Sequence, residues 1–145
     1  MKNASVHAQT FKVKRIILLA FVFMTVGSLL ELYLLDHYED ALQLIPILCL
    51  GISMLIMLIL FFKRTNALKN LFKVVLTLTA ISGFVGVYLH LNGNFEFEQE
   101  MKPTAQNWDL FVESWSGAFP ALAPLSLTIL ALIGYSYLIL IHQKK

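Results

Sequence analysis

Four apolar runs constrain this chain more than any other feature; they lie at 16–35, 44–62, 71–91 and 120–141. Each is close to the ~20 residues that a helix needs to cross a hydrocarbon layer about 30 Å thick. In lipid every backbone N–H and C=O needs an internal partner, so such runs fold as helices. The chain is 58% hydrophobic and 14% charged, against about 45–50% and about 25% in soluble domains. The expected fold is an all-α membrane protein. It is a single domain over 1–145, an antiparallel bundle of four transmembrane helices with a short amphipathic helix between helices 3 and 4.

The first run is too long for a secretory h-region of about 7–15 residues, and no Ala-x-Ala follows it. It is read as a retained helix. Cys49, the only cysteine, lies inside the second run. An intrachain disulfide and CxxC chemistry are therefore excluded, and Cys49 reads as a small packing residue.

Charge sets the orientation. Ten of the eleven Lys and Arg residues fall on one side of the four runs: Lys2, Lys12, Lys14, Arg15, Lys63, Arg64, Lys69, Lys73, Lys144 and Lys145. Only Lys102 falls on the other. Basic residues in short connections stay cytoplasmic, so both termini are expected in the cytoplasm; for a bacterial source the compartment is the inner membrane. Asp36, Glu39, Asp40, Glu96, Glu98, Glu100, Asp109 and Glu113 occupy the two outer connections. The expected partners are the lipid bilayer, whose anionic headgroups suit the basic rim, and a membrane-protein partner or further copies of the chain. With no separate basic domain, nucleic-acid binding is not expected.

The connections at 36–43 and 63–70 are short, which makes successive helices antiparallel neighbours. Pro46 is expected in the first turn of helix 2, where its missing N–H costs little. Pro120 and Pro124 are expected to open helix 4 in the same way. Residues 1–15 read as a frayed or interfacial tail. In the long outer connection "NGNFEFEQE" alternates Phe95 and Phe97 with Glu96 and Glu98, a period of two over too few residues to define a strand. Next comes a short amphipathic helix over about 105–116, with Thr104 as N-cap and Gly117 as stop. Trp108, Phe111, Val112 and Trp115 form one apolar face, which Leu110 does not join. Two placements stay open: an interfacial helix anchored by Trp108 and Trp115, or a lid over the bundle mouth. "EFEQEM", Trp-Asp-Leu-Phe and "GAFPALAP" give the last third of the chain a likeness to a group of small bacterial four-helix membrane proteins. The group is uncharacterised, so the resemblance implies that architecture and no activity.

Side chains capable of chemistry gather at the outer level. Glu31 lies near the end of helix 1 on a stripe with Ala20, Met24 and Gly27; Gly27 implies close helix approach, which turns Glu31 inward. Thr79, Gly83, Gly86 and His90 share a face of helix 3. Glu31 and His90 therefore fall at similar depth, with His37 just above. Three readings compete: a structural Glu31–His90 pair; a proton or divalent-cation site built from Glu31, His37 and His90 with Asp40 or Glu96 assisting, since imidazole with carboxylate suits zinc and related metals; or a haem or quinone pocket on His90 and His37. His7 and His142 lie on the cytoplasmic side. No phosphate loop, GxSxG or HExxH is present. The leading expectation is a non-enzymatic accessory subunit or homo-oligomeric membrane component with no resident cofactor. The alternative is a small transporter or ion-binding protein with its site at the outer mouth.

Overall fold

The computed structural model describes residues 2–142, with side chains over 9–141. Lys144 and Lys145 lie outside the described residues, as do the side chains of Lys2, His7 and His142. Five helices follow one another: α1 (Lys2–Leu34), α2 (Ala41–Phe62), α3 (Asn66–Met101), α4 (Asn107–Ser114) and α5 (Leu125–His142). No strand occurs among the described residues. Three helices, α1 from Gln9, α2 and α3, are long and apolar enough to cross a membrane; α5 offers a shorter apolar stretch, Leu125–Ile141.

Each of α1, α2, α3 and α5 packs on two of the others, α1 between α2 and α5, and α3 between α2 and α5. Their shared core holds Phe21, Leu50, Met57, Leu60, Phe72, Leu76, Leu130 and Leu138. Phe21 meets Phe72 edge to face, 5.9 Å between centroids. Gly134 makes room there, since a Cβ at that position would stand 2.6 Å from Leu76 Cδ2. Toward the other end α3 and α5 close on small residues. A Cβ at Gly83 would lie 2.8 Å from the Pro124 carbonyl oxygen, and one at Gly86 would lie 2.7 Å from Pro124 Cβ.

Polar side chains between the helices have partners. Thr25 Oγ1 donates to the Phe21 carbonyl at 2.8 Å, and Thr77 Oγ1 to that of Lys73 at 2.9 Å. Four bonds cross between the long helices: Ser53 with Thr79 at 3.4 Å, Thr128 Oγ1 donating to the Ala80 carbonyl at 3.2 Å, and Tyr135 with Thr77 Oγ1 at 2.7 Å and donating to the Lys73 carbonyl at 3.1 Å. Among the described residues no buried side-chain polar atom lacks a partner. The outer surfaces of these helices are apolar, with Phe23, Leu55, Phe62 and Phe84 all exposed.

Several boundaries differ from the sequence reading. α1 continues without a break from Lys2, so 2–15 is helical and not a frayed tail. α2 starts at Ala41, because the Asp40 carboxylate accepts from the N–H groups of Leu42 (2.7 Å) and Gln43 (3.0 Å), a strong N-cap. Pro46 consequently sits in the second turn, where its missing N–H leaves the Leu42 carbonyl without its usual helical donor. α3 runs 36 residues, about 54 Å, and takes in all of "NGNFEFEQE". The period-two alternation gives way because Asn94 and Glu98 turn toward α4 while Glu96 and Phe97 stay exposed. α5 begins only at Leu125; the residues before it form tight turns, with Ala123 N–H on the Pro120 carbonyl and Leu127 N–H on that of Pro124, both 3.1 Å.

α1 ends in a Schellman motif. Asp36 takes a left-handed backbone, φ 51°. Its N–H donates to the Tyr33 carbonyl at 3.2 Å, and the His37 N–H to that of Leu32 at 2.9 Å. Asp36→Val should destabilise by about 1–2 kcal/mol, the penalty of this conformation for a side chain with no local compensation. Asp36→Gly should cost much less, since glycine adopts it freely. Thermal unfolding of the two variants in one detergent tests the difference.

Candidate functional site

The Schellman bond fixes the backbone of His37 directly above the last turn of α1. Across from it stands His90, on α3. The two rings meet edge to face, with centroids 6.5 Å apart and planes inclined at 72°. His90 Nδ1 lies 3.1 Å from the Pro120 carbonyl oxygen. That oxygen can only accept, so Nδ1 carries the proton and the Nε2 lone pair is free. The Phe119 ring packs 5.9 Å away on the same imidazole. Burial lowers the His37 pKa below its ordinary 6.5; the neighbouring His90 lowers it further, and Asp40 partly opposes them.

Glu31 is not part of this arrangement. Phe21 and Thr25 set the buried side of α1; Glu31, six residues past Thr25, comes about 120° around the helix, and Gly27, two residues past it, about 160°. Both are exposed. Nothing would meet a Cβ at Gly27 within 4 Å, so the expected close approach there is absent. Among the described residues the Glu31 carboxylate makes no hydrogen bond or ion pair, and the expected Glu31–His90 pair is replaced by the bond to Pro120. Nor do the assisting carboxylates turn to the histidines. Asp40 caps α2, and Glu96 accepts from Asn92 Nδ2 at 2.6 Å. Among the described residues no three His, Cys, Asp or Glu side chains stand close enough together to hold a metal ion. Gly83 and Gly86 face Pro124, as described above.

Above the histidines, the tail of α3 and the short α4 form an outer headpiece. Its centre is Asn94, fully buried, a residue that sequence reasoning passed over. Its Nδ2 donates to the carbonyls of Ser114 and Phe119, both at 2.8 Å, and its Oδ1 accepts the Phe119 N–H at 2.8 Å. One carboxamide thereby ties α3 to both ends of the segment after α4. Gly117 permits the approach, since a Cβ there would stand 2.5 Å from Asn94 Cγ. Lys102 Nζ bridges Glu98 at 3.1 Å and Glu113 at 2.6 Å. These two carboxylates hold the ammonium form and raise the Lys102 pKa, Glu113 more than Glu98.

The seating of α4 leaves the apolar stripe outward and turns Leu110 inward. Leu110 and Ser114 are the buried residues, and Leu110 is the one that did not join the apolar stripe. Trp108 is 69% exposed and Trp115 46%, with Phe111 and Val112 also exposed. The helix spans Asn107–Ser114 with Gln106 at its N-cap and no side-chain cap bond, so Thr104 does not cap it. A groove of about 190 Å³ runs between Tyr88, Leu91, Asn92 and Phe95 of α3 and Phe111 and Ser114 of α4. Of the aromatic stripe, Phe111 lines this groove, while Trp108 and Trp115 do not.

Comparison of the chain with known protein families, curated proteins and solved structures gives no match. Its class rests on its own physics: an all-helical protein in which three helices are long and apolar enough to cross a membrane.

Proposed function

We propose that the chain is a multi-pass integral protein of a bacterial inner membrane and works as an assembled, non-enzymatic component, an accessory subunit or a homo-oligomer. In this reading α1, α2, α3 and α5 form an antiparallel four-helix bundle across the bilayer with both termini cytoplasmic. α4 lies at the outer surface with Trp108 and Trp115 in the headgroup layer, where such rings concentrate. Short connections, exposed apolar helix surfaces and the one-sided basic residues all support the reading. The bacterial setting rests on the resemblance of the last third of the chain.

One observation favours assembly: Gly27 and Glu31 share the outward side of α1, and neither has a neighbour there. Ionisable groups in spanning helices nearly always face protein rather than lipid, and small residues mark places where a second backbone approaches. A helix from outside the chain would satisfy both. The buried polar side chains among the described residues, by contrast, already have partners within the chain.

Because Cys49 is the single native cysteine, a Cys49→Ser background carrying Gly27→Cys tests this directly. Oxidation or a short bifunctional cross-linker in native membranes should give a dimer or a discrete larger adduct. Leu55→Cys, on the exposed side of α2, should give none. Equal yields at the two positions, or a monomer alone in mild detergent, would refute the assembly reading. For orientation, a reporter fused after Lys145 should stay cytoplasmic. The contact between His37 and His90 favours a second reading, an ion-binding or transport protein with a proton or divalent-cation site at its outer mouth.

A further inference from the structure

We propose that His37 and His90 form an open two-imidazole site for a transition-metal dication of the zinc, copper or nickel type, on the outer side of the helices. The inference goes beyond the assembly role and does not depend on it.

The geometry carries the proposal. A metal about 2.0–2.1 Å from one nitrogen of each of two rings places the ring centroids roughly 5–6.5 Å apart, from a bent to a linear arrangement. The observed 6.5 Å lies at the wide, linear end of that range; with the rings edge to face, His37 must rotate about its side-chain torsions to bring its lone pair onto an ion held by His90 Nε2. The two histidines come from segments far apart in sequence and are each held from behind. His37 is set by its backbone bond to Leu32 and His90 by its Nδ1–H on the Pro120 carbonyl. The second hold matters most. Metal-binding histidines almost always donate their other ring N–H to a carbonyl or carboxylate, which fixes the tautomer and aims the ligating nitrogen. His90 has this support in place, and no hydrogen bond among the described residues occupies its Nε2.

The donor set fixes the class of ion. Two imidazoles without a carboxylate suit zinc, copper and nickel and do not suit magnesium or calcium, which take oxygen ligands. Glu31 faces away, Asp40 caps α2, and Glu96 is bonded to Asn92, so no third protein ligand is at hand. The remaining coordination positions fall to water or to a ligand from outside the chain. An open site of this kind exchanges its ion readily, unlike a closed structural one.

The test uses full-length protein without a histidine tag in mild detergent, titrated with Cu2+ alone and then Zn2+ alone. Electron paramagnetic resonance of the copper-loaded protein should show nitrogen coupling from two imidazoles. His37→Ala and His90→Ala should each weaken binding at least about tenfold, the least that loss of a direct ligand should do when loss of a supporting group already costs 10–100-fold. His7→Ala and His142→Ala should leave binding unchanged, and Ca2+ or Mg2+ in excess should not compete. Wild-type binding no tighter than that of the His37→Ala/His90→Ala double variant would overturn the proposal. So would binding lost only when His7 or His142 is removed. If His90→Ala fails to fold, His37→Ala at its connecting turn still decides the matter, with retained helicity by circular dichroism as its control.

Discussion

Replacing Asn94 by Leu should release α4 from α3 while leaving the four long helices folded. The substitution keeps the side-chain volume close and removes three hydrogen bonds at once, those to the Ser114 carbonyl and to the carbonyl and N–H of Phe119. A net hydrogen bond contributes about 0.5–1.5 kcal/mol, and a buried group left without a partner costs about 1–3 kcal/mol. Water reaches part of this outer segment once it loosens, so a loss of about 2–4 kcal/mol for the headpiece is the reasonable sum. Hydrogen exchange over 107–119 should rise by about one and a half to three orders of magnitude, since each 1.4 kcal/mol is about tenfold in an opening equilibrium. Exchange in α2 and in α5 should not change. The comparison is Asn92→Ala two residues earlier. Asn92 is exposed and bonded only to Glu96 within its own helix, so its loss should leave α4 as protected as before. Equal exchange over 107–119 in both variants would mean that Asn94 does not hold the headpiece.

The helical class was legible because four runs of spanning length leave the backbone few alternatives. The rotation of each helix was less legible. On α1 the stripe through Gly27 and Glu31 looked like an interior one, since small and ionisable residues in spanning helices usually turn inward. Phe21 and Thr25 determine the buried side instead. Nothing local tells a glycine facing a neighbour within the chain from one facing a neighbour outside it. The same limit applied to α4, where the strongest apolar periodicity marks the exposed face and Leu110 makes the inward contact. Apolar periodicity alone does not say which face of a short helix is the interior one.

"NGNFEFEQE" was placed in the outer connection and not in α3 for a different reason. Asn-Gly favours a turn, and alternating Phe and Glu mimics a strand. Both tendencies are weak beside the continuation of a long helix whose next turns gain contacts with α4. The only local hint of Asn94's role was a pair of glycines, Gly93 and Gly117, and it becomes meaningful only when the two segments are seen to touch. At the histidines, the sequence placed His37 and His90 at one level. It could not supply the Schellman turn or the Pro120 carbonyl that aims them. Those are backbone features set by where α1 stops and where α5 starts.

The second large effect is expected at Gly83, where α3 and α5 come closest. A β-carbon there would lie 2.8 Å from the Pro124 carbonyl oxygen, 2.8 Å from Thr128 Oγ1 and 3.3 Å from Leu127 Cβ. The first of these is backbone and cannot swing aside, and the second is engaged in the bond from Thr128 to the Ala80 carbonyl. Gly83→Ala should therefore force the two helices apart at this level and cost about 1–3 kcal/mol, the usual penalty for overpacking. Gly83→Leu should exceed that and prevent α5 from docking. Any outward shift of Pro124 also moves Pro120, only four residues away, and with it the carbonyl that orients His90. Thermal unfolding in a single detergent should rank wild type above Gly83→Ala, and Gly83→Ala far above Gly83→Leu. Gly27→Leu should unfold with wild type when the protein is diluted to monomer, because nothing in the chain stands near that glycine. If Gly83→Leu and Gly27→Leu melted alike, the two glycines would not differ as described, and the close seam between α3 and α5 would have to be abandoned.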